Sequence, residues 1–189
     1  MKAIIPAKRN SSRVLDKNWR DFYNGQCLVE IKIGQLIDAG LNPSDVHVFC
    51  EDQSKRGLVE RAGATFELRD VANTKDDMHW SDVVTNLVSS IDVDDDESIA
   101  WVLACNPLFN GDDNKKVIDL WNKIQSMSRP ASGKNYDCII TVKRFKEYVL
   151  DENGKPTEES CPNVEGLVDE LNKELIFVKE TGEYIILDK

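Results

Sequence analysis

Short apolar runs of strand length alternate with segments of helical spacing along most of this sequence. The strand-length runs are AIIPA at 3–7, VHVFC at 46–50, ATFEL at 64–68, IAWVLAC at 99–105 and DCIITV at 137–142. In the segment 27–40, apolar residues recur at steps of mostly three and four before Gly40, which is typical of a helix and its end. This alternation predicts a three-layer α/β fold, a mostly parallel sheet with helices on both faces.

Three further helices are predicted, over 54–63 with Ser54 as the cap, over 79–91, and over 112–127. After Val142 the alternation stops, and 174–187 has the pattern of a hairpin around the turn 180–182. We therefore expect a single domain over 1–189, with an alternating core at 1–142. The remainder, 143–189, is expected to be an extension that covers a sheet edge or contacts a second subunit.

Composition excludes several classes of function. The 189 residues carry a formal charge of −10, which disfavours a general affinity for nucleic acids or anionic membranes. No apolar run approaches the roughly 20 residues of a membrane helix, and no signal peptide is recognised, so we expect a cytoplasmic protein. The five cysteines are widely spaced without a CxxC, and there are two histidines. This pattern favours reduced, structural thiols over a zinc site.

The loop after the first strand concentrates positive charge. Residues 8–20 carry five cations and one acid, a local charge of +4 in an acidic chain; the cations are Lys8, Arg9, Arg13, Lys17 and Arg20. In parallel α/β sheets, ligands bind outside the carboxyl ends of the strands, where this loop begins. Neither GxxxxGK[ST] nor GxGxxG is present, so side chains would hold the anion at least as much as backbone amides. A solvated loop is the alternative, but charge and position favour an anion site.

Several motifs carry a family resemblance. IIPAKRNSSRVLDKN resembles the N-terminal signature of the cytidylyltransferases that activate acidic sugars, the CMP-sialic acid synthetase family; the matching residues are Ile4, Ile5, Pro6, Ala7, Ser11, Lys17 and Asn18. The segments 46–52, 62–70, 101–109 and 137–144 resemble later motifs of that family in the same order. The resemblance covers roughly residues 3–145.

The resemblance implies a nucleotide-diphospho-sugar transferase-like fold and transfer of CMP from CTP to a sugar acid or another small anionic acceptor, with release of pyrophosphate. It implies phosphate contacts from four cations, of which Lys8, Arg9 and Lys17 would be catalytic; the fourth is Arg13. The other implied nucleotide-binding residues are Asn10, Ser11, Asn18, Arg69, Asp76 and Asn106. Mg²⁺ is implied by the chemistry of a triphosphate, with Asp52 as a weak ligand candidate, and a homodimer is implied by the family.

Departures from the family pattern leave alternatives open. Lys8 stands where the family has arginine, the glutamine of the later Q-P-T-S-P motif is lost, and no counterpart of the C-terminal D-x-D is found. A nucleotide-binding regulatory or assembly subunit without catalysis is one alternative, and a nucleotidyl or glycosyl transferase using another base is a second. Arg69 could instead form a surface salt bridge with Asp70, and Trp80 could belong to the core instead of an acceptor pocket.

Overall fold

The computed structural model describes residues 1–11, 14–75, 77–94, 96–126, 136–143, 173–179 and 184–187. The chain divides into two units, Met1–Asp119 and Leu120–Lys189. The helices are α1 (Leu28–Asp38), α2 (Arg56–Arg61), α3 (Trp80–Val88) and α4 (Gly111–Ser126). The strands are β1 (Lys2–Pro6), β2 (Asp21–Tyr23), β3 (Gln26–Cys27), β4 (Val46–Cys50), β5 (Thr65–Leu68), β6 (Ile99–Trp101), β7 (Tyr136–Lys143), β8 (Lys173–Lys179) and β9 (Tyr184–Leu187). None of the helices in these ranges is both long and apolar enough to cross a membrane.

The first unit contains a parallel sheet with the strand order β5-β4-β1-β6. β1 is the inner strand between β4 and β6, and Ile4 is in register with His47 on one side and Trp101 on the other. The order runs outward from β1 through β4 to β5 and then returns to the opposite side of β1 for β6. This parallel sheet, with helices on both faces, confirms the α/β prediction, and the reversal of direction lies between β1 and β6.

The two faces of the sheet bury different helices. Ile5 and Val48 pack with residues of α1 and α2, including Ile33 and Val59. On the opposite face, side chains of β1 and β4 pack against α3; this cluster consists of Ile4, Phe49, Val83, Leu87 and Ile91. Neighbouring residues of a strand point to opposite faces, so a strand buried on both sides appears as a continuous apolar run.

The second unit contains an antiparallel sheet of β7, β8 and β9. The two strands of the predicted C-terminal hairpin are confirmed as β8 and β9, while their turn at 180–183 lies outside the described residues. The strand at 137–142 is confirmed too, but it pairs with β8 in an antiparallel arrangement and does not continue the parallel alternation. The prediction that 1–189 forms one domain stays a prediction.

Local structure differs from the sequence prediction at three places. Asp52, and not Ser54, caps the helical segment after β4, because its carboxylate accepts a hydrogen bond from the Ser54 backbone N–H at 2.9 Å. β6 ends at Trp101, four residues before the end of the predicted strand. The hairpin of β2 and β3 was not predicted, although its Asn24-Gly25 turn, with both residues at positive φ, is a recognised hairpin signal.

Phe49 offers a test of the layer formed by α3. The substitution Phe49→Ala removes a side chain that is 1% exposed and leaves a cavity between the sheet and α3. We expect the free energy of unfolding to fall by about 3–5 kcal/mol, measured by urea denaturation. Phe22→Ala, at a site that is 57% exposed, is the matched control and should change it by less than about 0.5 kcal/mol. Equal losses in the two variants would contradict the described packing.

Candidate functional site

Four loops leave the carboxyl ends of the parallel strands at the same edge of the sheet. Backbone hydrogen bonds continue the sheet pattern into the start of three of these loops. Ala7 N–H donates to the Phe49 carbonyl at 2.9 Å, Val102 N–H to the Ile4 carbonyl at 2.9 Å, and Arg69 N–H to the Cys50 carbonyl at 3.0 Å. The first residues of these loops are therefore fixed in relation to one another by the sheet itself.

The loop after β1 is folded back onto the protein by Trp19. This indole is buried, and its Nε1–H donates to the Lys8 carbonyl at 3.1 Å. Trp19 N–H also donates to the carbonyl of Asp16, a residue with a φ of +49° that allows the chain to reverse. Sequence reasoning missed this anchor, because an aromatic residue in a polar loop gives no periodic signal.

Arg9 connects this loop to the end of β4. Its Nε donates to Asp16 Oδ1 at 2.9 Å, its Nη1 donates to Asp52 Oδ2 at 2.5 Å, and its backbone N–H donates to Glu51 Oε1 at 2.9 Å. The hydrogen bonds that Arg9 donates to Asp16 and Asp52 raise the pKa of Arg9, and the bond from Arg9 lowers the pKa of Asp16. Bonds from Ser54 and then from Arg9 lower the pKa of Asp52 to about 2. Arg9 is thus held by two ionised carboxylates at neutral pH.

Lys8 and Arg69 converge on one turn, the 3₁₀ segment Val71–Thr74 that follows β5. Lys8 Nζ donates to the Thr74 carbonyl at 2.7 Å, and Arg69 Nη2 donates to the neighbouring Asn73 carbonyl. Two cations from different strand ends therefore contact the carbonyls of adjacent residues in this turn. Arg69 thus bonds to a neutral carbonyl oxygen, whereas Arg9 bonds to carboxylates.

Arg69 is buried, with 6% of its surface exposed, and its Nε has no hydrogen-bond partner among the described residues. Burial lowers the pKa of Arg69, while the Glu51 carboxylate acts in the opposite direction. The Asp70 carboxylate caps the 3₁₀ turn, accepting from Ala72 N–H at 2.8 Å. Arg69 is consequently not the surface residue that the salt-bridge alternative assumed.

The other predicted residues of the first loop differ in their exposure. Asn10 is exposed, while Ser11 and Lys17 are half-buried. The Asn18 carbonyl accepts a hydrogen bond from Val29 N–H at 3.3 Å, which ties the end of the loop to the start of α1. Arg13 and Asp76 lie outside the described residues. The roles that the resemblance implies for these residues stay predictions.

The loop after β6 is held by α1. Asn106 has an exposed side chain, as a ligand-binding role would need, and its carbonyl accepts from Lys32 Nζ at 2.9 Å. Lys32 is 1% exposed and lies on the buried stripe of α1 between Val29 and Leu36. Sequence reasoning missed Lys32, although a lysine within the apolar stripe of a buried helix is a signal that could have identified it.

An aromatic pair lies on the α3 side of the same edge. The ring centroids of Trp80 and Trp101 are 5.3 Å apart with an angle of 71° between the planes, an edge-to-face arrangement. Trp80 is 59% exposed, so it is a surface residue and not the core residue of the alternative interpretation. Its neighbour His79 contacts the Ser81 hydroxyl through Nδ1 at 2.7 Å.

The described residues do not provide a ready-made metal site. Within the described ranges, no group of three or more His, Cys, Asp or Glu side chains is placed to hold a metal ion. Asp52, the weak candidate, bonds to Arg9 and to the Ser54 N–H. The role of Asp52 as a magnesium ligand stays a prediction.

Comparisons with known proteins place the chain in a family. A family described as Cytidylyltransferase matches residues 2–155, most of the sequence. A structure of CMP:2-keto-3-deoxy-manno-octonic acid synthetase complexed with CTP is 16% identical with a TM-score of 0.53, covering 94% of this chain and 70% of that one. A cytidylyltransferase from Leptospira borgpetersenii serovar Hardjo-bovis (strain JB197) is 19% identical with a TM-score of 0.47, covering 66% of this chain.

This chain aligns with 50% of the Leptospira protein's length, and no curated protein sequence matches it significantly. The family match includes the loop after β1, the end of β4, Arg69 and the loop after β6, which are the parts of the sequence on which the resemblance rested. The resemblance is thereby confirmed at the level of the family. The chain belongs to the cytidylyltransferase family.

Proposed function

We propose that this chain transfers CMP from CTP to a sugar acid or another small anionic acceptor and releases pyrophosphate. The observation that carries the proposal is the cationic loop of residues 8–20 at the carboxyl end of β1, beside the reversal in strand order. Family membership supports nucleotidyl transfer, and the similar synthetase complexed with CTP supports the choice of nucleotide. A cytoplasmic location and a homodimer are retained as parts of the proposal.

In the proposed reaction, the oxygen of an acceptor hydroxyl attacks the α-phosphorus of CTP, and the hydroxyl proton is lost to solvent. The bond from the α-phosphorus to the bridging oxygen breaks, and its electron pair leaves with pyrophosphate. Catalysis of this kind consists mainly of positioning and charge stabilisation. CTP is taken as its magnesium complex, so that Mg²⁺ is part of the substrate.

The partners of the cations support a division of roles. Arg69 bonds to the neutral carbonyl of Asn73, and charge-assisted bonds to phosphate oxygens are stronger than bonds to neutral acceptors. Phosphate can therefore replace this carbonyl favourably. Arg9 bonds to two carboxylates, and a phosphate would have to displace charged partners from it. In this proposal Arg69 and, as the family resemblance implies, Lys8 bind phosphate, and Arg9 holds the loop in place.

A nucleotide panel tests the proposal. We expect CTP with magnesium to raise the thermal midpoint more than UTP, GTP or ATP, because the proposed site is specific for cytidine. We expect pyrophosphate release when 2-keto-3-deoxy-manno-octonic acid or sialic acid is added. A CTP-selective shift without release for any acceptor would favour the regulatory subunit. No shift with any nucleotide would contradict both functions.

Three single substitutions in the same loop test the phosphate contacts. Lys8→Met and Lys17→Ala should raise the Kd for CTP about tenfold, because each removes a positive charge from the proposed triphosphate site. Calorimetric titration measures the Kd, and the thermal midpoint of the free protein should change little. Arg20→Ala removes the same charge at an exposed position and is the matched control. A similar loss of affinity in all three variants would show a general effect of charge.

Arg9→Met tests the division of roles. This substitution leaves Asp16 and Asp52 without their shared partner, so we expect a lower thermal midpoint for the free protein together with weaker CTP binding. Lys17→Ala should weaken binding alone. If Arg9→Met leaves the midpoint unchanged and only weakens CTP binding, Arg9 acts as a direct phosphate ligand and the division is wrong.

A further inference from the structure

We propose that Lys32 and Gln35 of α1 are positioning residues for the loop after β6, residues 102–110, and that this loop contacts the nucleoside end of CTP. The inference rests on the proposed function. Lys32 Nζ donates to the carbonyls of Asn106 and Phe109 at 2.9 and 2.8 Å. Gln35 Nε2 donates to the carbonyl of Pro107 at 2.7 Å. One face of α1 thus holds three carbonyls within four successive residues of the loop.

The burial of Lys32 indicates that these bonds matter. An ammonium group with 1% exposure loses its hydration, and this loss must be offset by hydrogen bonds within the protein. Ile33 and Leu36, its neighbours on α1, are ordinary core residues, so an apolar side chain would fit the pattern of this helix face better. Two hydrogen bonds of this lysine go to carbonyls of the loop, which gives the ammonium group a role at this position.

The same loop is fixed where it joins α4. Asn110 N–H donates to Asp113 Oδ2 and Asp113 N–H donates to Asn110 Oδ1, both at 3.1 Å. A Cβ at Gly111 would lie 3.2 Å from the Asp38 Cβ and 3.3 Å from the Gln35 carbonyl oxygen. The start of α4 therefore packs closely on the end of α1, and this contact holds the far end of the loop.

α1 also holds the loop on the other side of the strand reversal. Val29 N–H, in the first turn of α1, donates to the Asn18 carbonyl at the end of the cationic loop. From Val29 to Gln35 the helix advances by about 9 Å at 1.5 Å per residue. One rigid helix thus sets the spacing between the cationic loop and the loop after β6.

The composition of the second loop indicates which part of the ligand it meets. Residues 102–110, VLACNPLFN, carry no charge, and the side chains of Leu103, Cys105, Asn106 and Leu108 are exposed. The triphosphate would be attracted to the cationic loop, which leaves the uncharged nucleoside for the neutral loop. Loss of the contacts from Lys32 should accordingly weaken the binding of CTP more than that of inorganic triphosphate.

Calorimetric titrations of Lys32→Met with CTP and with inorganic triphosphate test the inference. Performed well below the thermal midpoint of each variant, they should show a Kd for CTP raised about tenfold and a Kd for triphosphate changed less than about twofold. Lys115→Met is the matched control, because Lys115 lies on α4, is exposed and pairs with Asp119; both Kd values should remain unchanged. A general loss of stability would raise the Kd values for CTP and for triphosphate alike.

Equal weakening of both ligands in Lys32→Met, or of neither, would overturn the inference while leaving the proposed function intact. Failure of the wild-type protein to bind CTP would overturn the proposed function and this inference with it. If Lys32→Met does not fold, Gln35→Ala is tested in its place, since this substitution removes one of the three bonds from α1 to the loop. It should raise the Kd for CTP about threefold, again without a matching change for triphosphate, and an unselective result would again overturn the inference.

Discussion

The parallel pairing of β1 with a neighbour on each side is the constraint on which the site depends. Since β1, β4, β5 and β6 all run in the same direction, their carboxyl ends meet at one edge. Residues that are far apart in sequence, such as Lys8 and Thr74, come within hydrogen-bonding distance there. The two core layers stabilise this pairing by burying both faces of the sheet. The fold therefore brings the side chains of this edge together, and each loop contributes a few groups.

Arg9 and Arg69, two cations at this edge, differ in the charge of the groups to which they bond. Arg9 is matched by two carboxylates, so the local excess of positive charge is smaller than the sequence of the loop indicates. Arg69 bonds to a carbonyl dipole, which orients a cation without neutralising it. In the proposed function, an anion approaching this edge would meet this oriented guanidinium. Such local charges would let a chain with a charge of −10 bind an anion.

Much of the fold could be predicted because its strands are short and buried on both sides. VHVFC at 46–50 coincides with β4, since an uninterrupted apolar run bounded by polar residues fits a buried strand. The predicted strand at 99–105 was too long, because the chain turns after Trp101 and its later carbonyls bond to α1. The antiparallel pairing of 137–142 could not be predicted, because apolar alternation does not specify a partner strand.

The candidate site, like the fold, could be predicted only in part. The cations of the first loop were recognised from local charge, but the partners of Arg9 come from the ends of different elements and depend on the tertiary structure. Lys32 was missed because it bonds to two backbone carbonyls more than seventy residues away in the sequence. Every residue has such a carbonyl, so no sequence pattern identifies these acceptors. Long-range contacts to side chains and backbone are thus what the sequence alone does not reveal.

Because α1 holds this loop through backbone carbonyls, the path of the loop does not depend on its side chains. The bonds from Lys32 and Gln35 would form with any residue at 106, 107 or 109, because each residue supplies the same carbonyl. The departures from the family motif in Leu103–Asn106 therefore change the groups that face outward while the backbone keeps its support. In the proposed function, the lost glutamine would therefore bear on ligand preference more than on the path of the loop. Specificity in this chain should be sought in the exposed side chains of the loop, and its architecture in α1.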